Sequence, residues 1–122
     1  MEQIRLSQGV SDDQRHSLEA EAALLGSMIL DPSIVADVGR QVGAGAFFRP
    51  ENRRVYEAIR DQVEDSGHVD LVLLRRRLAD GGALQTVGGV DYLVELAESV
   101  PSAASWPYYA RIVADKAAFR EV

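Results

Sequence analysis

The side chains that could do chemistry are few, and their spacing argues against catalysis. His16 and His68 each stand without a second His or Cys at ligand spacing, and the chain has no cysteine. A metal site needs several such groups converging on one point. Glu19 with Glu21, and Asp61 with Glu64 and Asp65, are the carboxylate groupings an acid–base mechanism would use. The first pair reads as the opening turn of a helix, where anions complement the dipole. The second reads as a solvated helix face. Gly81-Gly82 and Gly88-Gly89 raise phosphate binding, which in its Walker form needs Gly-Lys-Ser/Thr at a helix start. The one lysine, Lys116, reads as mid-helix, and the glycines read as helix ends and a tight helix entry.

Recognition is what remains. Arg75-Arg76-Arg77 is the densest positive cluster. Consecutive helical residues fan around the axis, so the three cannot all make one patch; they read as a solvated face, with a charged contact surface for an acidic partner or phosphates as the alternative. Trp106, Tyr108 and Tyr109 gather aromatics at one helix junction, by default as packing and otherwise as a partner-binding edge. The formal net charge is -6 over 122 residues. Tight backbone binding to nucleic acid needs several phosphates neutralised, so this balance favours protein partners. The absence of cysteine fits a reducing compartment, and no apolar stretch suggests a signal peptide or a membrane span.

The elements that must position these residues are helical. Residues 1–14 read as a flexible tail. Ser17 is the expected N-cap of a helix from Leu18 to Leu30 with a stripe of Leu18, Ala22, Leu25 and Ile29. Gly26 inside it marks close approach of another helix or else is a harmless interior glycine. Asp31-Pro32 restarts the chain as cap and N1 of a helix carrying Ile34, Val35 and Val38. Phe47 and Phe48 plug the core. Pro50 opens a helix to about Asp65, with Val55, Ile59 and Val63 inward, Tyr56 at the edge, and Arg53, Arg54 and Arg60 outward. Ser66-Gly67 ends it, Asp70 caps Leu71 to Ala79, and Ala83 to Val87 is either a helical turn or an extended connector. A further helix follows Gly88-Gly89 and stops at Pro101. The last starts near Ser105 to Pro107 and runs to the chain end without a stop signal, as though severed. No strand pattern competes. The fold class is all-α, a compact orthogonal bundle of about six helices.

This punctuation resembles the N-terminal domain of the DnaB-type replicative DNA helicases of bacteria and their phages. The match is carried by His16-Ser17-Leu18-Glu19-Ala20-Glu21 through Leu25-Gly26 to Leu30; by Phe47-Phe48, Arg53 and Val55-Tyr56; and by Val69-Asp70-Leu71 to Leu78. It continues through Leu84, Val87-Gly88-Gly89, Tyr92-Leu93 and Leu96, then Pro101-Ser102-Ala103-Ala104, Tyr109-Ala110, Ile112-Val113 and Arg120-Glu121. The chain departs from the family pattern at three places. Gln14-Arg15 replaces prolines, Asn52 replaces a histidine and Ser105 replaces an asparagine.

The resemblance implies a tail at 1–14, a collar domain at 15–104 and the truncated start of a hairpin helix at 105–122. It implies a non-enzymatic module for ring assembly and primase or loader docking. The parent would be an ATP-dependent DNA-unwinding hexamer, with ATP and Mg in a missing C-terminal domain and no cofactor here. Expected partners are a second copy, DnaG-type primase and a helicase loader, with DNA engaged only through the full ring. The expected location is cytoplasmic. Tyr109, Ile112, Val113 and Phe119, near the severed helix end, are the expected self-association surface. Rival readings are a stand-alone helicase- or primase-binding adaptor, a small carboxylate enzyme, and a helical DNA-binding regulator.

Overall fold

Ser11 opens the first helix, six residues before the expected cap at Ser17. Its hydroxyl accepts the Gln14 N–H while the Gln14 side chain accepts the Ser11 N–H, each at 3.1 Å. This reciprocal pair satisfies two amides that would otherwise face the helix end unbonded. Helix α1 therefore runs Asp12–Leu30, and Ser17 is a buried interior residue. The computed structural model describes residues 11–121, and of Glu121 only the backbone. Most of the expected tail, residues 1–10, lies outside the described residues.

Asp31 accepts the Ser33 N–H at 3.1 Å and caps a 3-10 turn, Pro32–Ile34, that leads into α2, Val35–Gln41. A second 3-10 turn, Ala44–Ala46, precedes α3, Pro50–Ser66, which ends on Gly67 in the left-handed region. Asp70 accepts the Val72 and Leu73 N–H groups and starts α4, Leu71–Asp80. Residues 83–88 form a hydrogen-bonded turn, with Val87 N–H donating to Ala83 and Gly89 N–H to Leu84. Helix α5, Gly89–Ala97, and α6, Trp106–Glu121, complete six helices, with no strand among the described residues. The bundle is all-α, as the residue pattern and the resemblance predict.

Helix α1 is the central strut. Helices α3, α5 and α6 all pack on it, and Ala20, Ala23, Leu24, Leu25 and Met28 bury completely or nearly so. From Ala20 to Met28 it is buried around most of its circumference, as a segment enclosed by neighbours must be, while its first turns are polar and exposed. Gly26 permits the closest crossing. A Cβ there would overlap the Leu96 carbonyl oxygen and come within 2.5 Å of Ser99 Oγ. Ser99 Oγ reaches across the crossing to the Ala22 carbonyl at 3.2 Å.

Tyr56 is not at the edge. It is 1% exposed, its hydroxyl donates to the Val42 carbonyl at 2.6 Å, and its ring meets Phe47 at 5.1 Å between centroids. Such a tilted pair contributes about 1 kcal/mol beyond its area. Phe47 plugs the core as expected, but Phe48 lies half-exposed beneath the Arg120 guanidinium.

Candidate partner-binding surfaces

Among the described residues no group of three His, Cys, Asp or Glu side chains is placed to hold a metal ion, and both histidines are exposed. The residues present do not fit ATP–Mg. Lys116 sits on α6 in an ion pair with Asp13, not at a helix start behind a glycine turn. Gly88 and Gly89, both at positive φ, shape the tight entry to α5.

The carboxylate that departs most from expectation is Glu21. It does not line a solvated first turn but is fully buried on α1. Its Oε2 accepts the Phe48 N–H at 2.6 Å, and its Oε1 accepts Asn52 Nδ2 at 2.8 Å and the Arg49 N–H at 3.4 Å. Arg49 is the N-cap of α3 and offers no side-chain cap of its own. Glu21 therefore supplies from another helix the anion that the α3 N-terminus favours. Asn52 in turn accepts the Tyr92 hydroxyl of α5, and the Arg49 guanidinium lies 4.9 Å over the Tyr92 ring. Burial pushes the Tyr92 hydroxyl above its usual 10. The Arg49 charge opposes this, and Glu21, Glu51 and Glu95 add to it. This polar junction ties α1, α3 and α5 together.

The expected self-association residues do not share one exposed surface. Val113 is fully buried, and Tyr109 and Ile112 are half-buried against the core. Helix α6 packs along α1, so the domain itself covers these three. Phe119 alone projects, 81% exposed. It borders a groove of about 500 Å³ with Phe48, Ser17, Asp13, Lys116 and Arg120. Trp106 is half-buried against the core and Tyr108 is exposed beside Tyr109.

Arg75, Arg76 and Arg77 are all exposed on α4, with Arg76 opposite the buried Leu74 and Leu78 and the other two flanking them. Arg77 pairs with Asp65 and Arg76 with Asp80, so two of the three charges are locally balanced.

The family model described as DnaB-like helicase N terminal domain matches residues 13–115. This chain belongs to that family. It is 38% identical over 106 residues to the replicative DNA helicase DnaB of Geobacillus stearothermophilus, covering 87% of this chain and 23% of the relative. It is 36% identical over 122 residues to the replicative DNA helicase DnaB of Mycobacterium leprae, covering all of this chain and 20% of the relative. The chain thus spans between a fifth and a quarter of these relatives' length. The crystal structure of the N-terminal domain of DnaB helicase from Mycobacterium tuberculosis superposes with a TM-score of 0.76 at 42% identity. That superposition covers 82% of this chain and 69% of the other.

The departures from the DnaB pattern now have places. Gln14-Arg15 lie within α1, with Gln14 in the cap. Asn52, where the resemblance expects a histidine, is interior, so that departure falls at the α1–α3–α5 junction and not on an outer surface. Ser105 contributes its carbonyl, which accepts the Tyr108 N–H at 3.1 Å and the Tyr109 N–H at 3.4 Å as α6 begins. No single helix among the described residues is long and apolar enough to cross a membrane.

Proposed function

We propose that this DnaB-like domain is a non-catalytic collar that supports ring assembly and docks DnaG-type primase or a helicase loader. The parent on this reading is a cytoplasmic, ATP-dependent, DNA-unwinding hexamer whose nucleotide site lies outside this chain. The observation that carries the reading is the family match over residues 13–115. The fold supports it physically. A rigid bundle crossed at Gly26 and tied at Glu21 holds its outer faces in fixed relation, which lowers the ordering cost of binding a partner.

Self-association, on this reading, is led by Phe119 with Phe48 beside it, since an exposed aromatic pair at a groove is a favourable anchor. The deciding experiment is a pull-down of the domain against the cognate primase C-terminal domain, beside ATPase and unwinding assays on the domain alone. Primase capture without ATP turnover is expected. Clear turnover by this chain, or no capture of primase or loader, overturns the proposal.

A further inference from the structure

Helix α5 buries Leu93 and Leu96 and turns its other side outward. At about 100° per residue, Val90, Val94, Glu98, Asp91 and Glu95 succeed one another around roughly 140° of arc. Val90 and Val94 are 41% and 38% exposed, and the three carboxylates are exposed as well. Among the described residues none of the three makes an ion pair. The helix carries no Lys or Arg.

Asp91 is accounted for by its place in the first turn, where an anion complements the dipole. Glu95 and Glu98 are not. They sit at the C-terminal end, where the dipole disfavours negative charge, and no basic residue offsets them there. The face therefore joins an apolar edge to carboxylates that weaken the isolated helix.

We propose that this α5 face docks a basic amphipathic helix of another protein. Aliphatic residues of that helix at i and i+4 cover Val90 and Val94, and its Lys or Arg side chains meet Glu95 and Glu98. A second copy of this chain fits less well. Each copy carries -6, and two of the three arginines on its α4 are already paired with Asp65 and Asp80. The inference rests on reading the domain as a docking module, and names one surface and one partner chemistry.

The probe is a synthetic Leu/Lys peptide of about 18 residues with leucines at helical spacing, beside a Leu/Glu counterpart of the same pattern. Titration calorimetry and amide shifts of the whole chain report binding. The Leu/Lys peptide is expected to move amides of residues 89–98. E95Q/E98Q and V90S/V94S are each expected to weaken it about tenfold, while D61N/E64Q, equal in charge change, leaves it unaltered. E95Q/E98Q is also expected to raise Tm by about 2–4 °C, because both carboxylates oppose the dipole. Affinity that falls equally in D61N/E64Q, or that ignores V90S/V94S, overturns the proposal as charge attraction alone. So do unmoved α5 amides, and so does self-association in sedimentation that V90S/V94S abolishes. Primase capture reads a different event. Its failure with peptide binding intact condemns the primase assignment alone, and the reverse condemns only this surface.

Discussion

Glu21 and the Glu95–Glu98 pair are the same side chain in opposite circumstances. Glu21 is enclosed, and three N–H donors from a neighbouring segment meet its two oxygens. Glu95 and Glu98 are exposed, without an ion pair among the described residues, at the end of their helix where the dipole disfavours negative charge. The buried carboxylate stabilises the fold because its donors are preorganised. The exposed ones oppose the dipole of their own helix and weaken it. On the docking proposal, the difference separates what the domain needs in order to fold from what it offers a partner.

That contrast is most severely tested by Glu21→Ala. It strands the Phe48 and Arg49 amides and Asn52 Nδ2, and the expected loss is about 3 kcal/mol by denaturant unfolding. A loss below about 1 kcal/mol would mean that water substitutes for the carboxylate and that the junction is not structural. Gly26→Ala comes next, at roughly 2 kcal/mol, because the added methyl must force α1 and α5 apart. A variant as stable as the parent in the same assay would remove the close crossing from the account.

The tyrosines give the contrast a pH axis. Burial raises Tyr92, and it raises Tyr56 as well, with Arg60 opposing. The unfolded chain therefore releases these protons first. The contribution is whole below about pH 10 and is lost as pH climbs from there through the raised folded values. Thermal melts from pH 9 to 11.5 are expected to show Tm falling above 10. Tyr92→Phe should flatten that fall while costing about 1 kcal/mol at neutral pH through the lost Asn52 bond. Phe119→Ala has the smallest expected effect on stability, within about 0.5 kcal/mol, since the ring stands in solvent. Sedimentation should nonetheless show weaker self-association, and an unchanged association constant would remove Phe119 from the surface.

Local chemistry explains which features were legible in the sequence. Asp31, Pro50, Gly67 and Asp70 act on their own neighbours, and each marks a helix end where expected. Ser11 carried an equally local signal. Serine followed three residues later by glutamine is a capping pair, masked by the polar run around it. Glu21 was missed for the opposite reason, since its donors lie 27 to 31 residues away. The available hint was its helical register with Leu24, Leu25 and Met28, three, four and seven positions on, all buried. Val113 misled because the end of α6 looked uncovered, whereas α6 returns along α1 and supplies the cover itself. The α5 face was legible only in part. The sequence shows Val90, Val94 and three carboxylates together, but not that no cation from elsewhere in the described fold pairs with them.

The Glu21 bonds also make a statement about time. Phe48 and Arg49 precede α3, and ordinary connector amides exchange with solvent through small local openings. These two are bonded to a side chain locked inside α1, so releasing them requires the central helix to part from its neighbours. Their deuterium uptake is expected to follow the slow, whole-domain opening. Two amides outside any helix would then report on the same event as the core.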